Sequence, residues 1–101
     1  MSLCYRCFFQ ENLAYNKPTD QSSTDEGGNS NRAVDGKIIR DYGSGSCTHT
    51  LNEKSPWWRV DLGQVEPVSE VYVVNRGDCC GNRLSSFEIR VGRSKFGFPF
   101  T

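Results

Sequence analysis

The 101-residue chain has no excess of charge of either sign: Lys and Arg together number 12, and so do Asp and Glu. A protein that grips nucleic acid through its phosphates needs a basic surplus. A polybasic module held to an anionic membrane surface needs one too. Neither class fits. Long apolar runs are also missing, and none approaches the roughly 20 residues of a membrane-crossing helix. Apolar residues come instead in short bursts split by Gly, Asn, Ser and Asp. No segment keeps a long 3.6-residue period, which argues against an all-helical bundle. The first ten residues carry Arg6 in their middle and lack an apolar core of adequate length, so no signal peptide is evident. With 36% hydrophobic residues, the chain can build one small core, helped by disulfides or a metal.

Cysteine is what the sequence has in plenty. Five in a chain of this length suit a secreted protein better than a cytosolic one. The number is odd, so at least one has no internal partner. Cys4 and Cys7 form a C-x-x-C, but the further ligands of a zinc site and the βαβ context of a redox motif are not visible. These thiols read as incidental to a terminal segment.

The pattern along the chain is that of an all-β sandwich with long loops. Residues 19–31 are polar and read as loop, followed by one helical turn over 31–36 that Gly36 stops. Residues 41–46 form a second, Gly-rich loop. In the run 57–62, Trp58, Val60 and Leu62 share one face of a strand, and Arg59 with Asp61 the other, as a solvated or structural pair. Residues 71–74 are apolar on both faces and predict a strand covered on both sides. Residues 87–91 alternate cleanly. There is no internal repeat and no low-complexity linker.

The chemistry gathers at His49, Arg76, Asp78, Cys79, Cys80 and Arg83. Residues 76–83 follow the apolar strand directly, at a strand end where binding groups concentrate. The sole His lies in a second loop. Two fixed cations and an imidazole make a dense set of donors, and Asp78 between the arginines can pair with them and fix their planes. Adjacent cysteines are about 3.8 Å apart at Cα, below the usual disulfide window of about 4.4–6.8 Å. A Cys79–Cys80 bridge therefore demands a distorted peptide and yields a rigid apolar ledge. Two separate bridges or two free thiols are the alternatives, and placement between Arg76 and Arg83 adds weight to the ring. Donors beside an apolar ledge suit a sugar. Asp78 offsets part of the positive field, so a neutral polyol fits better than a phosphate or carboxylate.

Rival readings are weaker. A hydrolytic triad from Ser46, His49 and Asp78 lacks a nucleophile elbow. A Cys79 or Cys80 nucleophile needs a free thiolate. Zinc held by Cys47, His49, Cys79 and Cys80 would use adjacent cysteines, which are poor co-ligands. Arg76-Gly77-Asp78 matches an integrin-binding tripeptide, but such tripeptides are common by chance. No enzymatic role is expected.

The spacing His49, 26 residues, Arg76, one residue, Asp78, four residues, Arg83 resembles the motif of the F-type lectins, or fucolectins. Further blocks match: residues 12–18 followed by 21–23, then 33–36, 45–49, 56–63 and 73–81. The similarity runs over 11–92, leaving an extension at 1–10 and a divergent tail at 93–101. The resemblance implies a jelly-roll β-sandwich of the F5/8-type-C, discoidin-like kind, here with its C-terminal strands missing, that binds fucosylated glycans. It implies that His49, Arg76 and Arg83 hydrogen-bond fucose, Asp78 holds the arginines, the Cys79–Cys80 ring packs on the sugar, and Tyr42 walls its methyl group. It further implies a structural Ca²⁺ bound by the carbonyls of Arg32 and Lys37, the Asp35 carboxylate and Ser46, incomplete because the family's C-terminal ligands are absent. The family's partner for Cys47 is absent likewise, which accounts for the odd cysteine. A secreted protein of innate defence, without membrane insertion or nucleic acid, and acting as a homo-oligomer or in tandem domains, is what the family implies. The alternatives are a discoidin-like adhesion module with a protein or lipid partner, and a truncated form that binds nothing.

Overall fold

The computed structural model describes residues 3, 4 and 12–92. The rest of the 1–10 extension, with Cys7, and the 93–101 tail lie outside the described residues. Among the described residues four short strands form two antiparallel ladders: β1 (Leu3–Cys4) with β4 (Val74–Asn75), and β2 (Thr19–Gln21) with β3 (Trp58–Val60). In the second ladder Thr19 lies opposite Val60, Asp20 opposite Arg59, and Gln21 opposite Trp58. The outward pair Asp20 and Arg59 forms a salt bridge at 3.4 Å, the cross-strand pairing expected of opposite charges. Arg59 therefore partners Asp20 and not Asp61, whose Oδ1 accepts from the Gly63 amide. The inward Trp58 donates its indole N–H to the Ser30 carbonyl at 2.9 Å. Trp57 stays 44% exposed, with the Arg59 guanidinium 5.3 Å from its ring centroid.

Two sequence expectations change. The polar stretch from residue 19 opens with a strand, β2, because its partner β3 lies far along the chain and no local signal announces the pairing. Conversely, residues 71–73 and 87–91 are not strands among the described residues. Val71 and Val73 are exposed, as are Phe87, Ile89 and Val91, so the coverage expected on both sides of 71–74 is not found. Alternation fixes which face a strand would bury, but a ladder needs a neighbour alongside.

The expected helical turn is present as a 3₁₀ turn at Ser30–Val34. It ends through Asp35 into Gly36, whose φ of 78° is open to glycine without strain. A second 3₁₀ turn, Tyr42–Ser44, is capped at its start by the Asp41 carboxylate, which accepts from the Gly43 amide, and stopped by Gly45 at φ 80°. The core is small and mixed. Ala33, Val34 and Cys47 are buried beside Ser46, Thr48 and Thr50. It therefore lies directly beneath the segment that carries His49. Cys47 is disulfide-bonded, which corrects the expectation that it is the cysteine left without a partner.

Truncating Val34, 1% exposed, should cost about 2 kcal/mol in chemical denaturation of the Val34→Ala variant. Val65→Ala, at a position 72% exposed, should change stability by less than about 0.5 kcal/mol.

Candidate functional site

Three segments converge over this core: the turn at residues 25–28, the Tyr42–Ser44 turn, and the loop that leaves β4. The first is a tight turn closed by the Gly28 amide on the Asp25 carbonyl at 2.9 Å. Its two central residues, Glu26 and Gly27, have φ of 49° and 69°, the signature of a type I′ turn. His49 is gripped by both ends of this turn. The Asp25 amide donates to the His49 carbonyl at 2.8 Å, and the His49 amide donates to the Gly28 carbonyl at 2.9 Å. A Cβ on Gly28 would lie 2.4 Å from the His49 nitrogen and 2.6 Å from the Tyr42 hydroxyl. Only glycine permits that approach.

Tyr42 bridges the segments. Its hydroxyl donates toward the Glu26 carbonyl at 2.8 Å and the Asp25 carbonyl at 3.3 Å. Its ring meets the His49 imidazole edge-on at 5.4 Å. The Arg76 guanidinium lies 4.6 Å from the ring centroid and that of Arg32 5.9 Å, within cation–π range. Burial pushes the Tyr42 phenol above its ordinary pKa, partly opposed by the charge of Arg32.

The third segment carries the cationic groups. Arg76 grips Asp78 with a two-pronged fork, Nε to Oδ1 at 2.7 Å and Nη2 to Oδ2 at 2.9 Å. The Tyr42 amide donates to the same carboxylate at 3.2 Å. The Arg76 hydrogen bonds hold Asp78 far below the usual carboxylate range. Asp78 was expected to hold both arginines. Among the described residues its ion pair is with Arg76 alone, and its remaining hydrogen bond comes from the Tyr42 amide. Arg83 ends the 3₁₀ turn Gly81–Arg83 and is exposed, and its charge acts on His49. The Asn75 side-chain amide steadies this turn by donating to the Gly81 carbonyl at 2.8 Å.

Between the two arginines the Cys79–Cys80 disulfide is closed, with Cα atoms 3.7 Å apart. Cys80 adopts a left-handed φ of 62°, which accommodates the ring. With Cys47 bonded as well, these three cysteines offer no thiolate for a nucleophile or for zinc. The imagined triad dissolves too, since the Ser46 hydroxyl donates to Asp35 at 2.7 Å.

Two of the residues expected at calcium are brought together by that bond. The other Asp35 oxygen accepts from the Lys37 amide at 2.9 Å. The donors gathered here are oxygens, the type a hard cation takes. They include a single carboxylate, and no group of three or more His, Cys, Asp or Glu side chains suited to a metal occurs among the described residues.

His49 has an electrostatic character of its own. Its side chain is 12% exposed, with Nδ1 4.0 Å from the Asp25 carboxylate, beyond hydrogen-bond reach. Burial lowers its pKa below that of a free imidazole, with Asp25 and Glu26 opposing. At neutral pH the ring is therefore neutral, able to donate at one nitrogen and accept at the other. The sequence did not point to Gly28 or the 25–28 turn, and it offered Arg32 for its carbonyl at calcium, not for its guanidinium beside Tyr42. Only the Glu26-Gly27-Gly28 string hinted at a tight turn.

A family model described as a NedA-like, galactose-binding F5/8 type C domain matches residues 32–98. Fucolectin-1 of Anguilla japonica is 41% identical over 92 residues, spanning 86% of this chain and 52% of that protein. The lectin domain of lectinolysin, solved in complex with Lewis B antigen, is 53% identical with a TM-score of 0.73, covering 74% of this chain and 54% of that one. A fucose binding module of Streptococcus pneumoniae is 41% identical with a TM-score of 0.64, covering 74% and 53%. The chain spans about half the length of the relatives it matches.

The two titrating groups of the site should separate in an NMR titration. His49 should titrate below about 6.5, the ordinary histidine value. Its folded pKa is depressed, so its contribution to stability is present above that value and is lost as pH falls toward the folded pKa. The Asp78 carboxylate should stay ionised at about pH 4, because its depressed pKa keeps the Arg76 fork intact well into acid.

Proposed function

The chain belongs to the NedA-like F5/8 type C family, a β-sandwich fold shared with solved fucose-binding lectins, and from that membership we propose that it is a non-catalytic lectin for fucosylated glycans. The observation that carries this reading is the convergence of His49, the Arg76–Asp78 fork and the Cys79–Cys80 ring over one small core. His49 and Arg76 supply directed hydrogen bonds to sugar hydroxyls and the ring oxygen, and Arg83 adds a third donor. Asp78 orients Arg76 and neutralises it, which favours an uncharged ligand. The disulfide ring offers an apolar, polarisable surface to the sugar's hydrophobic face. Tyr42 supplies the wall for the methyl group of fucose while its hydroxyl stays tied to the 25–28 turn.

The Asp35 carboxylate, the Ser46 hydroxyl and the carbonyls of Arg32 and Lys37 form part of a calcium site in this proposal. The ion would fix the Ser30–Val34 turn to the segment beneath His49. Secretion and a part in innate defence belong to the same reading. One monosaccharide site is weak, so useful avidity comes from several sites on a homo-oligomer or a tandem array.

Retention on immobilised fucose tests the reading. Oxidised wild-type chain should be held and eluted by free fucose, whereas His49→Ala and Arg83→Ala should each abolish retention. Wild-type chain that passes straight through would defeat the fucose assignment. Calcium should raise the melting temperature of the wild type and leave that of Asp35→Ala unmoved. Equal shifts in both would remove the metal from this position.

A further inference from the structure

One residue outside the proposed sugar contacts grips the backbone on both sides of Arg76. The Arg40 carbonyl accepts from the Gly77 amide at 2.8 Å. Its guanidinium Nε donates to the Asn75 carbonyl at 3.0 Å. These are the peptide groups immediately before and after Arg76. Two residues further on, the Tyr42 amide reaches the Asp78 carboxylate at 3.2 Å. Residues 40–42 thus run alongside 75–78 as an irregular, three-point zipper.

Gly77 is the other half of the contact. A Cβ built there would lie 3.0 Å from the Arg40 Cβ and 3.1 Å from its Cζ and Nε. Arg40 wraps the face of Gly77 that a side chain would fill. A side chain here would need Arg40 to give by a few tenths of an ångström. β4 ends at Asn75, so no ladder bonds hold the backbone beyond it. The Arg76 side chain is tied chiefly to Asp78, which rides on the same loop. That fork fixes the two side chains to each other and does not fix the loop to the rest of the molecule.

We propose that Arg40 is a positioning residue of the sugar site, clipping the backbone around Arg76 so that the guanidinium faces the ligand in one orientation. The proposal rests on the fucose reading for its affinity test. Arg40 is itself exposed, so the fold does not depend on burying it. The role requires the Nε–H of a guanidinium, which lysine lacks at that point of the chain.

The experiment measures fucose affinity and melting temperature for wild type, Arg40→Ala, Arg40→Lys, Gly77→Ala and the Arg40→Ala/Gly77→Ala double variant. Arg40→Ala should weaken fucose binding by roughly three- to tenfold, the worth of one ordinary hydrogen bond, at unchanged melting temperature. Arg40→Lys should bind as Arg40→Ala does. Gly77→Ala should cost less in the Arg40→Ala background than alone, since two of the three crowding atoms are gone. Wild-type affinity in Arg40→Ala overturns the clip. Full recovery in Arg40→Lys overturns it in favour of simple charge. A melting temperature that falls in step with affinity overturns it in favour of a structural role. If the wild type does not bind fucose, the proposed function fails and the Gly77 amide, which donates to the Arg40 carbonyl, decides the clip instead. Its protection from exchange should drop in Arg40→Ala, and unchanged protection overturns the proposal.

Discussion

The Asp78 carboxylate is the point where the site is joined. It takes two hydrogen bonds from the Arg76 guanidinium and one from the Tyr42 backbone. Through the first pair it fixes the plane of a cation. Through the third it ties the β4 loop to the Tyr42–Ser44 turn. Tyr42 then passes the connection to the 25–28 turn by its hydroxyl, and that turn holds the backbone of His49. The bonds around Asp78 and from Tyr42 to Glu26 sit near solvent, where a single hydrogen bond or ion pair is worth little. Their joint effect is geometric: three loops from distant parts of the sequence are held in one arrangement.

What lets so shallow a network persist is the packing beneath it. Ala33, Val34, Cys47, Thr48 and Thr50 are nearly sealed from solvent, and His49 lies between the last two. The segment is rigid where it matters because its neighbours in sequence are core residues and Cys47 is pinned by a disulfide. Buried Gln21 links β2 to the same region, donating to the Gly28 carbonyl and to Thr24. The small core and the site thus share one foundation. A disturbance at Val34 or Gly28 would reach the imidazole without touching any sugar-facing atom.

Much of the site was legible in the sequence, because its groups are close together or carry unusual chemistry. The span 76–83 holds two arginines, an aspartate and a vicinal cysteine pair, and the closed ring was what the family resemblance implied, the pair alone leaving separate bridges or free thiols open. The helical turn ending at Gly36 and the inward face of Trp58 were legible for the same reason, each being written in local pattern. What was not legible depends on contacts between remote segments. The pairing of Thr19–Gln21 with Trp58–Val60 gives a polar stretch a strand that its composition disguises. Residues 87–91 alternate as a strand should and yet have none beside them among the described residues. Arg40 looked like any surface cation, since its part in the site lies in peptide groups of a loop 35 residues away.

The Tyr42 hydroxyl is held by carbonyl oxygens of the 25–28 turn and by no side chain of it. The His49 backbone is bound to the same turn through main-chain atoms only. Such a tether is blind to residue identity. It asks for a left-handed backbone at residues 26 and 27 and for no side chain at Gly28. Glu26, exposed at the apex, enters the bonds that anchor the Tyr42 ring through its carbonyl. The rim of the site can therefore diversify at this position while its floor stays constant, so that breadth of recognition and strength of grip are governed by separate atoms.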